Sequence, residues 1–327
     1  MTSRFPLTAI LGLSLLQGCV SVPREAATAL ATRGATTSDL AATDVRRLGQ
    51  RLDDIEEINA FHRTYSACNA PGVADRTRCT TDPQTEENAQ AAEELITIID
   101  ARATALTELG DAYRAFKTEA EYDAEADLKS AVQSLATSVN AYASLLGPET
   151  EIVRAPIVAL ATHAAGWWAR DQQRQRLIQA SSSIGASLHT LRLALEKEAE
   201  TYDRVSEQFA RDEQFARSSL FQSGLILRAP TLAPMAAGLG VTLAPTAEAT
   251  LNADLSARIA AQAYLEGRSM DEVRKQRQRY QNLIAGLGRL ETAHTEFAEA
   301  RTFDPADFDR LMLELAALLT EVRGDPQ

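Results

Sequence analysis

Cations, cysteines and aromatic side chains are scarce in this sequence. The 327-residue chain has 33 Lys and Arg against 45 Asp and Glu, which gives a formal charge of −12. Because affinity for phosphate comes from clustered Lys and Arg, this balance argues against nucleic-acid binding and against broad adhesion to anionic lipid heads. Aromatic residues are only 6% of the chain, whereas alanine and leucine abound. Such residues lose little freedom in a helix, so the composition favours α-structure.

Sequence motifs for catalysis and for metal or cofactor binding are also missing. There is no P-loop, no dinucleotide glycine pattern and no GxSxG elbow around Ser181. None of the four histidines pairs with another at metal-ligand spacing. Glu291-x-x-His294 has the spacing that di-iron bundles use, but those sites need two such motifs and two further glutamates. We therefore predict no catalytic residues, no metal ion and no cofactor, and expect that the protein is not an enzyme.

The first residues have the organisation of a bacterial export signal. A single cation, Arg4, precedes an apolar run from Phe5 to Leu16 that is too short to span a bilayer. The run leads into Leu16-Gln17-Gly18-Cys19, which resembles the lipobox of bacterial lipoproteins. The resemblance covers residues 1–19 only, and no family resemblance is seen in the rest of the chain.

The lipobox resemblance implies a cellular location. In that class the signal peptide, here residues 1–18, is cut before the cysteine, and lipid is added to its thiol and to its new amine. Several acyl chains give stable anchoring, so Cys19 would hold the chain to a membrane. Val20 rather than Asp follows the cysteine, which favours the outer membrane in the enterobacterial sorting rule. We expect an outer-membrane anchor with the mature chain facing the periplasm.

The two remaining cysteines fit an exported protein. Cys68 and Cys79 lie 11 positions apart, across a stretch rich in turn-forming residues. The periplasm is oxidising, and the spacing does not match a CxxC redox or metal motif. The sequence therefore predicts a structural disulfide between Cys68 and Cys79, which would stabilise the fold by about 2–3 kcal/mol.

The positions of the prolines indicate where long helices can run. No proline occurs within 84–147, 157–229 or 246–304, and proline breaks helix interiors. Apolar residues recur at helical spacing in these gaps, with a stop at Gly147-Pro148 and a break at Gly267 before a capping box at Ser269–Glu272. Residues 19–36 are small and polar and are interpreted as a flexible tether. No strand-like alternation is seen.

The longest helical signal runs from Leu177 to Ala216. Alternating steps of four and three residues fall mainly on apolar side chains, as in a coiled coil. We interpret the stripe as one face of a bundle within the chain, because neighbouring segments also have apolar faces to bury. The predicted fold is all-α: an elongated antiparallel helical bundle over residues 37–323, with long coiled-coil-like helices, one short disulfide-closed loop and a subdivision near 220–245.

The segment from Leu220 to Ala244 is the most unusual part of the chain. No acidic residue occurs between Glu213 and Glu248, and prolines and glycines interrupt the apolar segment. The interruptions argue against a membrane-spanning helix. Three interpretations remain open: a buried crossover, which is the simplest, a partner-binding patch, and a membrane-inserting loop. Five residues are candidates for contact: Leu220, Leu225, Leu227, Met235 and Leu239.

These patterns lead to two functional hypotheses. The first is a lipid-anchored structural or accessory module of the cell envelope that acts by binding another envelope protein. The second is a membrane-perturbing, pore-forming-like component that uses residues 220–244. The hypotheses differ in what the segment 220–244 touches.

Overall fold

Most of the described part of the chain is helical. The computed structural model describes residues 24–68, 86–122, 124–147 and 169–299, and it contains no strand within those ranges. The main helices are α1 (Arg24–Cys68), α2 (Glu86–Tyr122), α3 (Glu125–Leu145), α4 (Ala169–Gln222) and α7 (Leu255–Ala298). Two short helices, α5 (Ala233–Gly238) and α6 (Ala247–Ala253), and a 3₁₀ helix at Ala229–Leu232 lie between α4 and α7. The all-α prediction is confirmed.

The five long helices share one hydrophobic core. Its fully buried members include Leu30 of α1, Phe116 of α2, Leu135 of α3, Leu191 of α4 and Leu287 of α7. The predicted coiled-coil-like stripe of α4 belongs to this core. Steps of four and three residues from Leu177 to Ala216 visit twelve positions, and nine of them are buried within the same chain. The interpretation of that stripe as one face of a bundle is therefore confirmed. With 54 residues, α4 is about 80 Å long, which makes the bundle elongated.

The helix directions are mixed rather than uniformly antiparallel. Helices α4 and α7 are antiparallel, since Ser181 meets His294 while Glu207 meets Arg277. Helix α1 is also antiparallel to α2, through Asp39–Arg114 and Arg46–Thr107. In contrast, α1 runs parallel to α4, with Arg24 bonded to Gln173 and Arg51 to Glu213, and α3 also runs parallel to α4, through Glu125–Arg176 and Tyr142–Glu198. Side-chain periodicity contains no information on direction, so the sequence could not predict this mixture.

The prediction of a flexible tether over residues 19–36 is wrong for residues 24–36. They form the first turns of α1, where Ala27, Leu30 and Ala31 have no exposed surface. Their small side chains permit close helix packing: a Cβ on Gly34 would overlap the ring of Tyr113 on α2. Such a small-residue face has little apolar bulk, so it is not recognisable as an apolar stripe.

The helix ends agree partly with the predictions. Helix α3 stops at Leu145, and Gly147 follows with a φ of 98°, as the Gly147-Pro148 signal predicts. The predicted break at Gly267 is wrong, because α7 is continuous from Leu255 to Ala298. Asp254 caps this helix by accepting from the amides of Ser256 and Ala257. A single exposed glycine costs a helix only about 1 kcal/mol, which the packing of α7 outweighs.

Several predictions fall outside the described residues. These are the signal peptide, the lipidated Cys19, the partner cysteine Cys79 and the final helix of the predicted bundle. Cys68 is the last residue of α1. Among the described helices, none is both long and apolar enough to cross a membrane.

Candidate functional site: an exposed apolar tip

Residues 223–254 form a small cap, here called the tip, at one end of the bundle. They connect the end of α4 to the start of α7. The tip shares a small core with the start of α7, in which Leu232, Leu251 and Ala261 are buried and Met235 and Leu243 are partly buried. Pro230 and Pro234 each lie in the first turn of a short helix, where proline is compatible with helical geometry. The prolines therefore begin new helices rather than produce an irregular crossover.

Two glycine turns give the tip its shape. Gly224 and Gly240 have φ angles of 71° and 69°, a region that favours glycine. In each turn the next amide bonds back five residues, from Leu225 to the Leu220 carbonyl at 3.1 Å and from Val241 to the Ala236 carbonyl at 3.0 Å. This is the Schellman arrangement, which satisfies carbonyl groups at a helix end.

A polar network joins the parts of the tip to one another and to the end of α4. The Glu248 carboxylate accepts from the amide of Ala229 at 2.7 Å, and this bond holds the pKa of Glu248 below its usual value. The Arg228 guanidinium donates to Asn252 at 2.9 Å and lies 5.3 Å from the centre of the Phe221 ring. Because these bonds join residues 228–229 to α6 and α4, the tip has a defined structure in spite of its small core.

The tip exposes large aliphatic side chains. Leu225, Leu227, Leu239 and Val241 are between 54% and 73% exposed. The simplest sequence interpretation, a buried crossover, is therefore wrong. Four such side chains lie within 17 residues of one another in the chain, and exposed apolar surface, where it is contiguous, marks sites of protein or membrane contact.

The five predicted contact residues divide into two groups. Leu225, Leu227 and Leu239 are exposed, whereas Leu220 and Met235 are half-buried, the latter against the small core of the tip. Sequence reasoning missed Leu255 and Ile259, which are each 61% exposed at the start of α7. Their i, i+4 spacing is the same as that of a core stripe, so the sequence offered no signal to separate the two.

The interior polar residues have a different role. Glu198 and Arg102 form a buried ion pair at 3.1 Å, and the hydroxyl of Tyr142 also donates to Glu198. Arg102 lies 5.4 and 5.5 Å from the ring centres of Tyr202 and Tyr280. Burial lowers the pKa of Arg102, but Glu198 and the tyrosines outweigh it, so the pKa lies above its ordinary value and the group stays charged. These contacts hold α2, α3, α4 and α7 in register.

Ser181 and His294 also meet in the core. Nδ1 of His294 lies 2.8 Å from Ser181 Oγ, and Nε2 lies 3.1 Å from the Tyr113 hydroxyl. Ser181 Oγ in turn donates to the His294 carbonyl at 3.1 Å. We assign Tyr113 as donor to Nε2 and the protonated Nδ1 as donor to Ser181, which gives each group a partner. In this arrangement the imidazole donates to the serine and does not act as its base.

The metal-like spacing Glu291-x-x-His294 does not form one site. Glu291 pairs with His189 at 2.8 Å and with Arg192 at 2.9 Å, whereas His294 is fully buried. Within the described ranges, no three His, Cys, Asp or Glu side chains are grouped so that they could hold a metal ion.

The tip therefore stands out as the candidate functional site on geometry alone. It combines exposed aliphatic side chains with a folded support, and it lies at the opposite end of α4 from Arg24. The sequence matches no protein-family model, and comparisons with curated proteins and with solved structures gave no match.

Proposed function

We propose that this protein is a lipid-anchored accessory module of the cell envelope that presents the tip to another envelope protein. The observation that carries the proposal is the exposure of four aliphatic tip residues: Leu225, Leu227, Leu239 and Val241. A surface of this kind is costly in water, and burying it against a partner would stabilise a complex.

The position of the tip supports a partner away from the anchoring membrane. Arg24 follows Cys19 by five residues and bonds to Gln173, near the start of α4. Five residues span at most about 18 Å when fully extended. The tip begins after α4 ends, about 70 Å further along that helix. With the bundle standing upright on the membrane, an anchor at Cys19 would thus place the tip far from the membrane that holds it.

The same geometry weighs against the membrane-perturbing alternative. Insertion of the tip would require a bilayer at the end of the bundle that lies away from Cys19. Binding of the full chain carrying Cys19→Ala to liposomes, abolished by Leu225→Asp and Leu239→Asp, would favour that alternative over a protein partner.

The proposal is tested by cross-linked pull-down from membranes. Three variants are compared with the native chain: Cys19→Ala, the tip pair Leu225→Gln with Leu239→Gln, and the control Tyr122→Gln. Tyr122 is 77% exposed but lies at the end of α2, outside the tip. We expect one envelope protein to be recovered with the native chain and the control and to be lost with the tip pair. Cys19→Ala should release the protein from the membrane fraction.

The contrary result is also clear. If the tip pair recovers the same proteins as the native chain, the tip is not the contact surface. If Cys19→Ala remains membrane-bound although its residues 1–18 have been removed, Cys19 is not the anchor.

We also propose the disulfide between Cys68 and Cys79. Its support is the spacing of the two cysteines at the end of α1 and the oxidising compartment that the lipobox implies. Alkylation of the denatured protein followed by mass measurement tests it: both thiols should be modified only after reduction. Modification without reductant would contradict the bridge.

A further inference from the structure

A groove at the base of the tip has a chemistry that differs from the rest of the chain. It lies between the last turn of α4 and the first turns of α7 and has a volume of about 220 Å³. Its apolar wall includes Phe221, Leu255, Ile259 and Leu265. Leu255 and Ile259 are each 61% exposed, so the described part of the chain leaves the groove open to solvent.

The charged residues of the groove have one sign. Arg228 and Arg258 line it, and no acidic side chain does so among the described residues. The acidic residues nearest along the chain have other partners: Glu248 accepts from the amide of Ala229, Asp254 caps α7, and Glu266 accepts from the side chain of Gln262. In a chain with a formal charge of −12, an apolar groove whose described lining has two cations and no acidic side chain is a local reversal of charge.

Arg258 has unused hydrogen-bonding capacity. Its Nε atom is buried and has no hydrogen-bond partner in the described part of the chain. A buried donor without an acceptor is costly, and an acceptor from a bound group would remove that cost. A carboxylate forms the strongest such bond with a guanidinium.

We infer that this groove binds an acidic amphipathic helix of a partner protein, with its apolar side chains against Leu255 and Ile259 and its carboxylates at Arg228 and Arg258. The inference rests on the proposed function, since it specifies which partner chemistry the tip end of the bundle accepts. Two helices with an apolar furrow between them are a suitable surface for a third helix, whose contacts recur at i, i+3, i+4 and i+7. The paired cations determine the sign of charge that the partner must present.

The test uses two synthetic helices of matched length. Both have leucines at i, i+3, i+4 and i+7; one has Glu at its remaining positions and the other has Lys. Each is labelled with a fluorophore and titrated with the full chain carrying Cys19→Ala, with fluorescence anisotropy as the readout. We expect the Glu helix to bind at least about tenfold more tightly than the Lys helix, with an affinity that falls as salt rises.

Variants locate the binding in the groove. Ile259→Glu should weaken binding of the Glu helix about tenfold or more, since it places a like charge at the apolar wall. The pair Arg228→Glu with Arg258→Glu should reverse the preference in favour of the Lys helix. Met270→Glu is the matched control, because Met270 is an exposed residue of α7 that does not line the groove. Circular dichroism of each variant checks that the helices remain folded.

Three results would overturn the inference. The first is equal binding of both helices, or of neither. The second is binding to phosphatidylglycerol vesicles that Arg258→Glu abolishes, which would make the groove a lipid site. The third is a concentration-dependent dimer that Ile259→Glu dissociates, which would make the occupant a second copy. If the pull-down still depends on Leu225 and Leu239, the proposed function stands although the groove inference fails.

Discussion

Removal of Glu198 is expected to destabilise the fold strongly. The ion pair with Arg102 is buried, with side-chain exposures of 1% for Arg102 and 6% for Glu198. Glu198→Leu would leave a charged guanidinium without its counter-ion, which costs about 3–5 kcal/mol. It would also remove the acceptor of the Tyr142 hydroxyl, a loss of about 1–3 kcal/mol that overlaps with the first. We expect the free energy of unfolding to fall by about 4 kcal/mol in total.

Urea unfolding followed by circular dichroism measures this loss. With a slope of about 3 kcal/mol per molar urea, the midpoint should fall by about 1–2 M. The triple variant Arg102→Met, Tyr142→Phe and Glu198→Leu is the control that identifies the cause. It replaces the ion pair and the Tyr142 hydroxyl by apolar groups, while Tyr280, whose hydroxyl also lies 3.4 Å from Glu198, keeps its bond to the Leu195 carbonyl at 2.9 Å.

The triple variant and Glu198→Leu should therefore differ in their free energy of unfolding. We expect the triple variant to lie within about 2 kcal/mol of the native chain, because well-packed apolar residues often replace a buried ion pair without loss. If the triple variant is as unstable as Glu198→Leu alone, the loss comes from packing and the reasoning is wrong. If the free energy of unfolding of Glu198→Leu falls by less than about 1 kcal/mol, Arg102 without its counter-ion does not carry the cost of a buried unpaired charge, and the reasoning is also wrong.

Two further predictions concern the core, and a third concerns an exposed glycine. Burial lowers the pKa of His294 to about 3, so between pH 6.5 and 3 the unfolded chain binds a proton that the folded chain does not. The free energy of unfolding should therefore fall by about 1.4 kcal/mol per pH unit from pH 6.5 towards 3. His294→Gln should abolish that part of the pH dependence in urea titrations. Gly34→Ala should destabilise the fold by about 1–3 kcal/mol, because its methyl group would overlap the Tyr113 ring. Gly267→Ala, at an exposed helical position with nothing within 4 Å, should instead stabilise it by about 0.5–1 kcal/mol, and equal shifts in melting temperature for the two would contradict the packing argument.

The helical class and the long helices followed from the sequence because these features are local. Proline-free gaps and apolar spacing predicted most of α2, α3 and α4, and Gly147 marked the end of α3. Local signals failed where tertiary packing outweighed them. The break predicted at Gly267 is absent from α7, and the polar-looking start of α1 is buried through its alanines.

The sequence located the segment that forms the candidate site, but it could not predict whether that segment is exposed. The lack of acidic residues between Glu213 and Glu248 marked the segment as unusual. Whether Leu225 and Leu239 are buried depends on what lies opposite them, and no part of the sequence specifies that. The groove between α4 and α7 was missed because Ile259 has the spacing of a core residue and Arg258 has no sequence neighbour that reveals its unpaired Nε atom.

By itself, the sequence determined the helical class of the fold. Helix formation depends on local features, namely the side-chain freedom of each residue and the positions of prolines within a few turns. It also determined which face of α4 is apolar, from Leu177 to Ala216. Only the tertiary structure decided the directions of the helices, the pairing of Arg102 with Glu198 across 96 residues, and the exposure of the tip. The physical reason is that burial and pairing are properties of two surfaces in contact, whereas periodicity describes one surface alone.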